Sequence, residues 1–443
     1  MKRSMTIENA WICTIVGSDV LPLFGDLSIS DGCISKIRPK NFQTFLKNPN
    51  RVNKNSYNAF GKVVTIPMVN FHDHIYSRLA KGLPLKGKFD NFHNVLKNLW
   101  WKLDRALDTD MIKASAQMAA FESIRNGVTY IFDHHSSQDQ IDGSLRIIQN
   151  VLYEFGIRGV LCFECTDRNG LDKAMEGLEE NKNFHTSQLD GDYRAMLGLH
   201  ASFTLSDDVL VEAHKIQKKF DLGIHIHVAE DEIDNKLSIE YTGKSPIKRL
   251  AKYKLLNSKS ILVHGVHLKE KDFVMISNHE SALAFCPDSN LNNSVGLPQF
   301  GRIPKSIPFL LGTDGMHSNV ARSLKQIYLL SRHQGNSFDV STALVKKTYF
   351  DQLAFAKKYF LDYPTLNEGD RADLIIWNYT PPTPMTEENF WGHYIYGMLE
   401  YPVETVMQNG EYLMKDFQLL DKDESKIKNE IYVQGERLVN KLK

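Results

Sequence analysis

The tightest constraint on the fold is an alternation that begins at Val63. Eight apolar, β-type runs follow one another from there, separated by stretches of helical periodicity. In order they end near His72-Asp73-His74, Asp133-His134-His135, Phe163, Leu199-His200, Ala229-Glu230, Val263-His264, Cys286-Pro287 and Thr313-Asp314. Alternating β and α elements imply a parallel sheet, and eight units imply an α/β chain closed into a (β/α)8 TIM barrel. An open doubly wound sheet is the competing topology, but it calls for a phosphate-type glycine fingerprint that the sequence lacks. Helices are expected over 110–126, stopped by Gly127, over 145–155, from a Ser206 cap to about Phe220, and over 342–361.

Outside the alternation the texture is different. Residues 10–16 are β-rich, a hairpin turns at Asp31-Gly32, and the polar stretch 48–58 reads as a loop. Beyond Gly369 the β character returns, with a second hairpin at Asn409-Gly410. Ile427, Ile431, Leu438 and Leu442 then recur at helical spacing. The resulting division is 1–62 as the N-terminal part of a small β-sandwich, 63–368 as the barrel, and 369–443 as the C-terminal part of that sandwich plus a terminal helix.

Composition narrows the partners. Lys+Arg and Asp+Glu both total 53, a balance that argues against a nucleic-acid-binding surface. No apolar run reaches membrane-spanning length, and the N-terminus lacks the apolar core of a signal peptide, so no membrane association is expected. Five cysteines, an odd and sparse number, fit a reduced cytoplasmic protein, and the lone C-x-x-C at Cys162 and Cys165 reads as coincidence. A small-molecule substrate is expected, and self-association into a homo-oligomer is left open.

The chemistry concentrates at the strand ends. On an extended strand, side chains at i and i+2 share a face, so His72 and His74 can converge while Asp73 points away. Taken alone, the pair could equally be two exposed histidines past a strand end. The later strands supply further candidates, giving His72, His74, His227 and Asp314 as ligands for one divalent ion. His/Asp ligation suits zinc and iron, with zinc preferred. Glu230, three residues past His227, is the candidate general acid, Asp314 the base for the attacking water, and His264 a hydrogen-bond donor to that water or to a developing oxyanion. His200 and His134 are candidate substrate-binding residues, with a structural role as the alternative. His135 and His225 are expected to pack or support the site, Trp100 and Trp101 to anchor a core or interface, and Arg78 to pair at the surface.

The ordered set His72-Asp73-His74, His227-Val228-Ala229-Glu230, His264 and Asp314 resembles the amidohydrolase superfamily, and within it the deaminase and chlorohydrolase branch. The stretches 99–107, 132–136, 225–231, 286–293 and 312–315 look most like the SsnA-type aminohydrolases. The resemblance spans almost the whole chain and implies hydrolysis of a non-peptide carbon–nitrogen bond, most simply deamination of an aminated heterocycle with release of ammonia. Ring-opening hydrolysis of a cyclic amide is the alternative chemistry, and a non-catalytic scaffold on the same barrel the alternative class. Two departures stand out. Met68 follows Pro67 where the family usually has glycine, and residues 194–200 offer no lysine for a second metal, which favours a single ion.

Overall fold

The computed structural model describes residues 4–47, 49, 56–84, 86–188 and 191–443. Much of the expected loop at 48–58 therefore lies outside the described residues. The chain divides into two compact units, one of residues 1–69, 121–129 and 360–422, the other of residues 70–120, 130–359 and 423–443.

In the first unit both chain ends enter a single nine-stranded mixed sheet. Its central strand, Val63–Thr65, pairs parallel with Ser4–Val16 on one side and antiparallel with Leu374–Trp377 on the other. Trp377 secures that junction, donating its indole N–H to Thr65 Oγ1 at 2.9 Å in a fully buried setting. The two turns expected from Asp31-Gly32 and Asn409-Gly410 join Asp19–Ser30 to Cys33–Pro39 and Val403–Gln408 to Glu411–Lys415.

The barrel strands follow as β1 (Met68–Asp73), β2 (Val128–His135), β3 (Arg158–Phe163), β4 (Leu197–Ala201, after a short stretch Tyr193–Ala195), β5 (Ile224–Val228), β6 (Ile261–His264), β7 (Ala282–Phe285) and β8 (Phe309–Leu311). Hydrogen bonding runs β1 to β3 in one group and β4 to β8 in another. A parallel bridge between Cys165 and Leu199 joins the groups on one side, and another between Asp73 and Asp314 joins them on the other, closing the ring. At the second seam the amides of Thr313 and Asp314 both donate to the His72 carbonyl, at 2.9 and 3.0 Å.

Strand parity sorts the side chains of β1. Phe71 turns outward and packs against Phe132 of β2 (ring centroids 4.8 Å apart) and against Phe355 (5.8 Å), on the helix Phe338–Tyr359. Its neighbours His72 and His74 turn inward. Ser206 caps the helix Asp207–Phe220 as expected, accepting from the Val209 amide. The terminal helix Glu424–Leu442 belongs to the second unit, where Arg437 pairs with Asp108 at 2.7 Å and Lys441 donates to the Ala106 carbonyl. The cysteines are all unpaired, and no helix among the described residues is long and apolar enough to cross a membrane.

Because Phe71 is completely buried between a strand and a helix, Phe71→Ala should cost about 3–5 kcal/mol of stability. Urea unfolding followed by tryptophan fluorescence should show the lowered midpoint. An unchanged midpoint would mean that β1 does not hold the parity described here.

Candidate metal centre and its cavity

Four side-chain atoms from β1, β5 and the end of β8 meet at one point. His227 Nε2 lies 3.3 Å from both His72 Nε2 and His74 Nε2. Asp314 Oδ1 lies 3.3 Å from His74 Nε2 and 3.8 Å from His72 Nε2. A tetrahedral ion with metal–ligand bonds of about 2.0–2.1 Å separates its ligands by roughly 3.4 Å. His72, His74 and Asp314 form one group that could hold a metal ion, and His227 stands at that spacing from both of its histidines.

The far side of each ring supports this. His74 Nδ1 donates to the His134 carbonyl at 2.7 Å, and His227 Nδ1 to the His200 carbonyl at 2.9 Å. Both protons are thereby assigned to Nδ1, leaving the Nε2 lone pairs directed at the shared point. His72 Nδ1 meets His225 Nε2 at 2.9 Å, so His225 orients a ligand. Burial, reinforced by neighbouring imidazoles, pushes His72, His225 and His227 well below the usual histidine range, so all are neutral, as metal ligation requires.

A buried lattice holds β1 in place beneath them. Asn70 donates to Asp73 Oδ2 at 2.8 Å and to Thr313 Oγ1 at 2.7 Å. Arg78, expected at the surface, is instead fully buried and grips both Asp73 oxygens, at 2.6 and 2.8 Å, as well as Ser318 Oγ at 3.0 Å. The sequence could not reveal this, because the Ser318 segment that covers Arg78 lies 240 residues away. Gly312 makes room for the seam. A Cβ there would stand 2.5 Å from His72 Cβ and 2.8 Å from the His72 carbonyl oxygen.

Three residues around the centre, Ala229, His264 and Asp314, hold positive φ angles of 48°, 71° and 54°. Such backbone is uncommon for side chains with a Cβ and collects where function requires it. Asn290 donates to His264 Nδ1 at 3.1 Å, which leaves Nε2–H facing Glu230 Oε2 at 3.3 Å and Asp314 Oδ2 at 3.9 Å. The two carboxyls are driven apart in acidity. Burial and the Asp314 charge raise Glu230 well above the usual carboxylate range. At Asp314 burial is outweighed by His74 and His264, and the group is held low. One carboxyl is thus a proton donor and its neighbour an ionised acceptor, a pairing suited to acid–base chemistry.

Above this point opens a cavity that reaches solvent. His200 stands on its wall, with Nδ1 held by Thr204 Oγ1 at 2.7 Å. His134 does not line it. That ring is fully buried, its Nε2 donates to the His225 carbonyl at 3.0 Å, and it packs 4.7 and 4.8 Å from the His225 and His227 rings. His135 is likewise buried, on Ser137. Trp100 and Trp101, expected as core or interface anchors, form part of the cavity wall with Tyr76 and Phe203. Trp100 ends a π-helical turn, Leu96–Trp100. The sequence reading also passed over Glu164 and Arg168, which line the cavity, and Asn293, which donates to Glu230 Oε1 at 3.3 Å. The signal for Glu164 was its place just past β3, where the other strands carry their polar residues.

Comparisons with known proteins show the family and the fold. Residues 63–413 match the amidohydrolase family. A 5′-deoxyadenosine deaminase of Methanococcus aeolicus is 27% identical over 94% of this chain and 95% of its own length. A 5-methylthioadenosine/S-adenosylhomocysteine deaminase of Pelotomaculum thermopropionicum is 26% identical over 99% of both. Among solved structures, a zinc-bound adenosine deaminase from Xanthomonas campestris superposes with a TM-score of 0.79 at 18% identity, covering 98% of each chain. A zinc-bound atrazine chlorohydrolase from Arthrobacter aurescens gives 0.80 at 16% identity, over 97% of this chain and 100% of the other.

His72→Ala or His227→Ala should abolish most divalent-metal retention, and His225→Ala should weaken it by about 10- to 100-fold through the lost orientation of His72. Elemental analysis after dialysis against a graded chelator series would reveal the difference. Full retention by His72→Ala would remove that residue from the ligand set.

Proposed function

The chain belongs to the amidohydrolase family, and from that premise we propose that it is a zinc-dependent deaminase of small aminated heterocycles, of the purine or triazine kind. It is a hydrolase acting on carbon–nitrogen bonds other than peptide bonds. The single observation that carries the reading is the pairing of a histidine and aspartate cluster that could hold a metal with two neighbouring carboxyls of opposed acidity. The relatives deaminate purine nucleosides by name, which supports the same reaction type here. The likeness of several stretches to the SsnA-type aminohydrolases is the narrower form of the same proposal.

His72, His74, His227 and Asp314 would hold one ion, zinc ahead of iron. Bound there, it would lower the pKa of a water molecule towards neutrality and polarise the electrophilic carbon. The residues around it do the rest. Trp100 and Trp101, on the cavity wall, would pack against a planar ring. Glu230, kept neutral, gives its proton to the ring nitrogen beside the amine-bearing carbon as water adds to that carbon. Asp314, kept ionised, takes the proton of the attacking water and passes it to the leaving amino group, which departs as ammonia. His264 donates Nε2–H to the oxygen developing negative charge. Free cysteines suit a reducing compartment, and we place the protein in the cytoplasm.

Ammonia release across purines, pyrimidines, triazines and cyclic ureides tests the reading, since a ring-opened acid without ammonia would indicate cyclic-amide hydrolysis instead. On the best substrate, Glu230→Gln should lower turnover at least about a hundredfold while metal and thermal stability stay near wild type. Asp314→Asn should lose metal and turnover together. Near-wild-type turnover in Glu230→Gln would move the acid role to another group.

A further inference from the structure

One buried carboxylate on the cavity wall has no part in the reaction above. Glu164 stands one residue past β3, and its side chain is only 4% exposed. What it does expose faces the cavity. It is surrounded by cations and imidazoles, yet none comes close. His134 Nδ1 is 3.4 Å away, Arg168 Nη2 3.6 Å and His200 Nε2 3.9 Å. Charge-assisted N–H···O⁻ bonds, when made, run to about 2.7–2.9 Å. Arg168 shares the same Nη2 with Asp104, the nearer partner at 3.2 Å, and stacks 4.6 Å from the Trp101 ring, so it serves Glu164 only at longer range. An ionised carboxyl can only accept hydrogen bonds. This one is therefore an acceptor at the edge of the cavity that the protein meets only at long range, through His134, Arg168 and His200.

We propose that Glu164 selects the substrate by accepting a hydrogen bond from a second N–H donor on the heterocycle, either an unsubstituted ring N–H or a further exocyclic amino group. The proposal rests on the deaminase reading and narrows its substrate class. β3 and β5 are two strands apart around the ring. Glu164 and Glu230 therefore meet the bound heterocycle on different edges, one accepting from it and the other donating to it. A ligand that lacks the second donor leaves a buried charge unmatched, and sites built to bond an N–H reject such analogues strongly. The relatives' 5′-deoxyadenosine has its ring nitrogen blocked by the sugar. A free base or a polyamino ring suits this chain better.

The test is calorimetric binding to the zinc-loaded full chain of matched pairs: adenine with 9-methyladenine, cytosine with 1-methylcytosine, and 2,6-diaminopurine with adenine. In at least one pair the donor-bearing member should bind about 10- to 100-fold more tightly. Glu164→Leu should bring that ratio close to one, by weakening the donor-bearing ligand and relieving its partner of the unmatched charge. Glu164→Gln, which keeps size and a neutral acceptor, should fall between. A purely structural role would weaken both members alike. Failure of the wild type to discriminate in any pair, or an unchanged ratio in Glu164→Gln, would overturn the proposal, and the second criterion stands even if Glu164→Leu does not fold. Ammonia release on the same panel separates the two readings. Ammonia with an unchanged ratio sinks the role of Glu164 alone, whereas a collapsed ratio without ammonia sinks deamination alone.

Discussion

Everything at the centre depends on the seam where the last barrel strand returns to the first. Two successive amides, of Thr313 and Asp314, share the carbonyl of His72. This one acceptor fixes the backbone of His72 at β1 and that of Asp314 beyond β8 in the same register. Asn70 braces it from the side, bonding both Asp73 and Thr313. The Asp73–Arg78 pair braces it from below, and the burial of both groups makes that brace unforgiving. A buried pair of this kind adds little net stability, but removing one partner strands a charge and typically costs about 3–5 kcal/mol. The seam therefore behaves as a rigid frame, and the ligand geometry follows from the closure of the barrel.

The parts of this arrangement that follow from local rules were legible in the sequence. The period-two parity of β1 places His72 and His74 together, and the strand-end positions of His227, His264 and Asp314 follow from the alternation. The hairpins at Asp31-Gly32 and Asn409-Gly410 and the Ser206 cap are equally local. What escaped depends on contacts across long separations. Arg78 reads as a surface cation until Ser318 covers it. Trp100 and Trp101 read as core until the cavity is seen to open beside them. Glu164 was overlooked because its strand was read for the cysteines flanking it, and His134 lies a layer deeper than a strand-end histidine suggests because its ring nitrogen finds the His225 carbonyl.

The acidity of the two central carboxyls illustrates how burial alone does not decide a protonation state. Glu230 and Asp314 are both deeply buried, yet one is held neutral and the other ionised. The difference comes from their company. His264 Nε2 stands near both, 3.3 Å from Glu230 and 3.9 Å from Asp314, but Asp314 also has His74 at 3.3 Å and the Gly315 amide at 2.8 Å, while Glu230 faces the negative charge of Asp314. The charge of Asp314 is one of the causes that keep its neighbour Glu230 protonated.

The tryptophan wall carries a different lesson through the π-helical turn that delivers it. A π turn holds one residue more than an α-helix needs, and each α-helical residue turns the chain by about 100°. Deleting a single residue between Leu96 and Trp100 would restore ordinary helical pairing. The turn would then carry one side chain fewer to the cavity wall, while the helix Trp101–Ala106 beyond it keeps its phase. The shape of this wall is thus encoded in chain length as well as in side-chain identity. Insertions and deletions there offer a route to a new pocket outline that point substitutions at the metal centre do not.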